Sequence, residues 1–414
     1  VKGLIDLSLV NGVWTLKLSM IQTVALAIVT LYLGEFIKKH SSFLQKVCMP
    51  APAIGGLPFA FICAFLSYYK IINISFESSL QSFLMLAFFT TIGLMASLSV
   101  LKKGGIGIII FWIVCTAWIV VQNAGGIIIA KLMGIHPIFG IMAGSVSMMG
   151  GLGTAGAFGP FFQEQLGMPG IATAAIAAAT FGMVAGTLMG APVGERIIKM
   201  HNVTTPAEDP SLLQADGIDM SNEDEESKSF TLPQLMNTIA IVGISLGLGT
   251  IVSYGLSIAV GPLPAYIGAM IVAAVIRNYG DLTGSYRINS AALDAVSNIS
   301  LSIFVTMAIN SLKLVQLIDL AIPLLAILAY QMVAIAVFAY LIFWIFQRNY
   351  DAVMLGTGAI GFGLGATPNA LVNMLSLADK HGPSPKAWLV VSLVGAFLID
   401  FTNAFLITFM AKML

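Results

Sequence analysis

The chain has 414 residues, with 19 Lys and Arg against 19 Asp and Glu, a formal net charge of zero, 58% hydrophobic residues and only 9% charged ones. So little polar surface cannot cover a soluble globule of this length, which leaves an integral membrane protein. No basic stripe offers a seat for nucleic acid, and Cys48, Cys63 and Cys115 have neither pairing nor metal-ligand spacing and read as small buried hydrophobes.

In chain order, apolar runs near the ~20 residues that a membrane-spanning helix needs fall at residues 16–36, 51–69, 82–101, 105–133 and 170–194. A second set follows at 234–256, 262–277, 293–317, 320–346 and 387–411. No cleavable leader is expected before the first span, because its apolar run ends on Gly34, Glu35 and basic residues. Each half has an odd number of crossings, which turns the second half upside down relative to the first. The expected fold is therefore an all-α integral membrane protein of two inverted five-span repeats, residues 1–200 and 231–414. Residues 201–230 between them lose hydrophobicity and gain an acidic run, Glu223, Asp224, Glu225 and Glu226, and read as a solvated linker. Basic residues gather on the linker side, among them Lys38, Lys39, Lys46, Lys102, Lys103, Arg196, Lys199 and Lys228. The linker is thus expected in the cytoplasm and both termini outside.

Two glycine-rich stretches, GSVSMMGGLGTAGA from Gly144 and GTGAIGFGLGATPNA from Gly356, stand 212 positions apart. At that offset Met142 falls on Met354, Gly151 on Gly363, Gly153 on Gly365, Pro50 on Pro262 and Pro52 on Pro264, which marks a duplicated unit. Each interior glycine costs a helix ~1 kcal/mol relative to alanine, so re-entrant helical hairpins are expected near 138–164 and 352–382. Broken backbone at membrane depth is tolerated only where protein or a wet cavity supplies partners. Thr367 before Pro368 has the form of an N-cap, and Thr154 can cap the segment after it. Two helix N-termini facing the midplane suit an anion, and unwound carbonyls suit Na⁺. The expected substrate site is Gly151, Gly153 and Thr154 with Gly363, Gly365, Thr367 and Asn369. The competing reading is that the glycines only let helices pack closely. A dinucleotide site is excluded, since no strand precedes either motif.

Asp400 lies in the middle of an apolar run, where a charge is costly and a functional role is the default hypothesis. Asn403 is at i+3; Thr306 and Asn310 share a face at i and i+4, and Thr91 is the counterpart of Thr306. These five oxygen-bearing residues are the candidate Na⁺ ligands, against polar helix contacts and back-bonded threonines as the alternative. Gln122, Asn123 and Gln331 read as interhelical hydrogen-bonding residues. Lys313, near a span end, reads as a snorkelling lysine. His40, His136, His201 and His381 fall in loops or at span edges, so no histidine relay crosses the core.

Taken with PAPAIGG at 50–56, LMLAFFTTIGL at 84–94, VQNA at 121–124, ATFG at 179–182, SLSIFVTMA at 300–308, LKL at 312–314 and VGAFLID at 394–400, the glycine motifs resemble those of the bacterial sodium/glutamate symporters. The resemblance implies a homodimer in the bacterial inner membrane with crossed hairpins at the repeat interface. It also implies Na⁺-coupled uptake of L-glutamate by alternating access of the elevator type. Na⁺ is then the coupling ion and no organic cofactor is expected. Two positions depart from the family pattern: Leu152, where histidine is frequent, and Met95, where asparagine is. Another amino acid or a dicarboxylate therefore stands as the alternative substrate. An anion channel is disfavoured by the lack of charged rings, and an intramembrane aspartyl protease because Asp400 is the one aspartate clearly at mid-depth. Glutamate with one Na⁺ is neutral and gains nothing from the membrane potential, so at least two Na⁺ per substrate are expected.

Overall fold

The computed structural model describes residues 6–10, 13–98, 105–208, 229–260 and 263–414. The acidic run at 223–226, Pro262 and the lysines Lys2, Lys102, Lys103 and Lys228 lie outside the described residues.

The chain opens with strands rather than a helix. β1 (Asp6–Val10) pairs antiparallel with β2 (Val13–Leu18), which pairs parallel with β3 (Ile72–Phe76). The first span accordingly starts later than residue 16: α1 (Met20–Lys39) begins after a capping box in which Ser19 and Gln22 satisfy each other's backbone amides. The sequence signal for this hairpin was present, since Asn11-Gly12 stands between alternating apolar and polar runs.

After a single helical turn at Ser42–Lys46, the helices that follow are α2 (Ala51–Tyr68), α3 (Ser79–Met95), α4 (Gly105–Leu132), the short α5 (Ile138–Ile141), α6 (Gly151–Leu166) and α7 (Ile171–His201). After the linker come α8 (Leu232–Val260), α9 (Ala265–Thr283), α10 (Ser290–Asn310), α11 (Ala321–Ile345), α12 (Tyr350–Leu364), α13 (Thr367–His381), α14 (Pro385–Leu393) and α15 (Ile399–Lys412). Among the described residues seven helices, α1, α2, α4, α7, α8, α10 and α11, are long and apolar enough to cross a membrane. The other three expected spans differ for visible reasons. α3 has 17 residues, α9 carries Arg277 and Asp281 as an ion pair at 3.1 Å, and the last span is interrupted by a turn of π-helix at Val394–Leu398. Large apolar side chains such as Ile21, Tyr32, Ile113, Leu248, Ile251 and Val333 face outward, as an acyl-chain environment demands.

Packing sorts the helices into two bodies. α1, α2 and α3 gather with α8, α9 and α10; α4 to α7 gather with α11 to α15. Each half of the chain thus gives its first three helices to one body and the rest to the other. In the first body helices cross almost backbone to backbone: a Cβ on Gly55 would stand 1.8 Å from Thr30 O, and one on Gly268 2.2 Å from Gly249 O. The second body is built around α7, with 61% of its apolar window buried against 22% for α1. Where the bodies meet, small residues of α6 face rings and aliphatic groups of α3 and α10, Gly153 against Phe88 and Leu301 and Gly156 against Phe304. Thr187 of α7 also donates to Val47 O across the boundary, at 3.2 Å.

Gly55→Ala should therefore force α1 and α2 apart and lower the thermal midpoint of the detergent-purified protein, since overpacking costs ~1–3 kcal/mol. Gly243→Ala, where a Cβ meets nothing within 4 Å, should leave the midpoint unchanged or raise it slightly.

Candidate solute and ion site

The two glycine motifs form two breaks in helical backbone, and the breaks touch. In the first, α5 runs into a turn of π-helix (Met142–Val146) in which Gly144 leaves helical geometry (φ −92°, ψ −132°). The chain then turns and restarts as α6 at Gly151, whose φ of +59° is in the region that favours glycine. In the second, α12 ends at Leu364, Gly365 leaves helical geometry (φ −147°, ψ −96°), Ala366 is extended, and α13 starts at Thr367. α12 and α13 fold back on each other as a hairpin. Tyr350 Oη closes its base on Gly382 O at 2.6 Å, and near the tip a Cβ on Gly361 would stand 2.3 Å from Ala370 Cα.

At the crossing, a Cβ on Gly151 would stand 2.7 Å from Gly365 O. The second hairpin is seated in a groove along α7 made by Gly182, Gly186, Gly190 and Gly194, which face Leu364, Asn373 and Thr357. Asn369 donates to Met183 O (3.1 Å) and Thr187 Oγ1 (2.5 Å), and Asn373 donates to Gly186 O (2.8 Å). Side-chain amides hold the rest of the broken backbone. Gln122 donates to Gly363 O (2.8 Å) and Gln331 to Gln122 O (3.0 Å). Asn123 Oδ1 accepts from Ser145 N (2.8 Å), and Asn403 donates to Ser145 O (3.0 Å).

These bonds leave two sets of groups free among the described residues. The amides of Gly151, Leu152 and Gly153 at the start of α6, and those of Gly365, Ala366 and Thr367, have no recorded acceptor. Buried oxygens of Gln122, Ser145, Thr357, Asn369 and Asn403 have no hydrogen-bond partner. A buried polar atom left unpaired costs ~1–3 kcal/mol, so the crossing has groups that can receive both an acceptor and a positive charge. A carboxylate suits the amides; a hard cation suits the oxygens.

The structure corrects the two expected caps. Thr154 lies within α6, whose cap is Gly150 with no side-chain bond. Thr367 is the first helical residue after Ala366, and its hydroxyl donates to Gly395 O (2.6 Å). Both N-termini are thus uncapped, which leaves their amides for a ligand. Gly151, Gly153, Thr154, Gly363, Gly365, Thr367 and Asn369 all lie at or beside the crossing. Asp400, half-buried and with no hydrogen bond or ion pair among the described residues, starts α15 just after the π-turn, one helical turn before Asn403. Thr91, Thr306 and Asn310 are elsewhere, in the first body. The two threonines donate to Phe88 O and Ser302 O of their own helices, and Asn310 donates to Thr30 Oγ1. Sequence reasoning missed Ser145, Thr187, Asn373 and the α7 groove, although a glycine at every fourth position from 182 to 194 signals one.

A family model described as "Sodium/glutamate symporter" matches residues 16–383. The sodium/glutamate symporter of Escherichia coli (strain K12) is 39% identical over 391 residues, 94% of this chain and 96% of that protein. That of Shigella flexneri gives the same figures, and that of Haemophilus influenzae is 36% identical over 393 residues.

The contact between breaks predicts that Gly151→Ala, which meets both a positive φ and the Gly365 carbonyl, should cut the uptake rate of reconstituted protein about tenfold or more, as strain of ~1–3 kcal/mol at the site would. Thermal denaturation of the same preparation should show the protein still folded.

Proposed function

We propose, from the fact that this chain belongs to the sodium/glutamate symporter family, that it uses an inward Na⁺ gradient to take up L-glutamate. The observation that supports this most is the meeting of two uncapped helix breaks beside unpaired buried oxygens. In this reading the free amides at 151–153 and 365–367 receive carboxylate oxygens of the substrate, helped by the positive ends of α6 and α13. Asn403 and Ser145, joined by their own hydrogen bond, and Asp400 one turn away supply hard oxygen for Na⁺. Cation and substrate then neutralise each other at one crossing, so each binds better with the other present, which is the thermodynamic content of coupling. Thr91, Thr306 and Asn310 are assigned to packing of the first body.

The division into bodies supports an elevator. The second body carries the whole candidate site and meets the first across small residues facing Phe88, Leu301 and Phe304, a surface with little polar interlock to break. The matching contributions of the two halves to each body support inverted repeats with the broken segments as re-entrant hairpins. The same reading keeps the linker cytoplasmic, both termini outside and the protein a homodimer in the inner membrane. Leu152, buried at the start of α6, adds an apolar wall beside the amides, and it is the position through which a related dicarboxylate or amino acid would be selected instead.

In proteoliposomes, an inward Na⁺ gradient should drive accumulation of glutamate in preference to aspartate or citrate. An inside-negative potential should speed it, each net charge moved being worth ~2.3 kcal/mol per 100 mV; indifference to potential would contradict the expected two or more Na⁺. Asp400→Asn should raise the Na⁺ concentration for half-maximal uptake about tenfold, equivalent to ~1.4 kcal/mol. An unchanged Na⁺ dependence removes Asp400 from the cation site.

A further inference from the structure

A cavity of about 810 Å³ lies between the two bodies, away from the crossing, and the assignments above give it no role. Its walls come from β3, α2 and α3 of the first body, from α6 and α7 of the second, and from the segment joining α10 to α11. Every one of these segments belongs to the face opposite the linker in the topology proposed above. Polar groups such as Ser67, Asn73, Gln163, Thr173 and Gln316 line it, and one charged residue does: Lys313. No aspartate or glutamate is among the lining residues, and Lys313 is exposed, its ammonium forming no ion pair or hydrogen bond among the described residues.

Helices of the cavity wall continue to the crossing. Ile176 lines the cavity, and the adjacent Ala175 O accepts a hydrogen bond from Ser147 in the first break, at 2.6 Å. Ala308, another lining residue, packs against Gly156 of α6. Gln163 in the wall and Gly151 at the crossing are on one helix, about 18 Å apart at 1.5 Å per residue. A snorkelling lysine would reach for the polar membrane surface; Lys313 also stands over a polar recess with no lining carboxylate.

We propose that this cavity is an outer vestibule that captures carboxylate anions, with Lys313 as the group that concentrates them before they reach the crossing. The proposal rests on the transport reading above, including its orientation. A fixed positive charge in a recess between low-dielectric walls raises the local anion concentration and the capture rate, and salt screens it. Lys313 does not hold the substrate during translocation, so the maximal rate and the Na⁺ dependence are not its business.

The test is initial-rate glutamate uptake by the full-length protein in right-side-out proteoliposomes, at fixed Na⁺, with choline chloride used to vary ionic strength. For the unmodified protein KM should rise with ionic strength. Lys313→Gln should raise KM about fivefold at low ionic strength, the scale of one unit charge acting over several ångströms in a partly aqueous recess, and should flatten the salt dependence. Maximal rate and half-saturating Na⁺ should stay unchanged, and Lys313→Arg should restore the original KM. Gln163→Glu keeps an acceptor for Ala172 N, which Gln163 Oε1 now serves at 3.3 Å. It places a negative charge in the same cavity, and should also raise KM, which tests the idea even if Lys313→Gln fails to fold. A Lys313→Gln protein with unchanged KM and unchanged salt dependence overturns the vestibule, as does a KM rise that salt does not affect. If the unmodified protein shows no Na⁺-dependent glutamate uptake, the transport reading fails instead.

Discussion

A helix broken inside an apolar protein must find partners for the backbone groups it frees, and here two such breaks are set against each other. Gly151, in a left-handed conformation, lies under the carbonyl of Gly365, so it has no room for a side chain, and Gly365 itself is tightly packed against Gly361 and Met183. Gln122, Asn123, Gln331 and Asn403 each spend one side-chain hydrogen bond on backbone near the breaks. The rest of the second body follows from that contact. α7 must present glycine at four successive turns to let the second hairpin reach the crossing, and α4 and α11 must carry amide side chains in otherwise apolar helices. What these amides do not satisfy is as informative as what they do, because unpaired buried oxygens and uncapped amides are a standing cost that a bound ion pair would remove.

The same crossing accounts for the boundary between the two bodies. Most polar side chains of the second body are spent inside it, so its contact face with the first is chiefly Gly153 and Gly156 against Phe88, Leu301 and Phe304, with Thr187 on Val47 O as a polar contact. Small residues against rings pack closely without fixing one register. The first body is held differently, by glycine-mediated crossings such as Gly55 on Thr30 and Gly268 on Gly249, and by Arg277, Asn278 and Asp281 at its edge. Two bodies meeting mainly across small residues and rings are compatible with the alternating access proposed above.

Much of this was legible in the sequence, and the parts that were not share a cause. The shared offset of the glycine motifs, Asp400 and Asn403 followed from pattern and depth. Gln122, Asn123 and Gln331 were legible as hydrogen-bonding residues, but their targets were not, because a helix's own sequence does not say which backbone its side chains will meet. The same limit applies to Thr306 and Asn310: periodicity puts them on one helix face, while packing decides what the face meets, here the first body, where Asn310 donates to Thr30 Oγ1 and keeps its own Oδ1 unpaired. Thr154 and Thr367 have the residue type of caps, yet Gly151 can take a positive φ and Ala366 can extend, so both helices start earlier than the threonines suggest. The N-terminal strand pair is hidden because the apolar residues of β2 run on into the first span.

The central claim is that both breaks are occupied together, by substrate and Na⁺ at one site. Hydrogen–deuterium exchange of the reconstituted protein measures it directly at the free amides. The account predicts that Na⁺ plus glutamate slows exchange at residues 151–153 and at 365–367 in concert, with far less effect from glutamate in the absence of Na⁺. Exchange unchanged at both breaks, in protein that still accumulates glutamate, would contradict it.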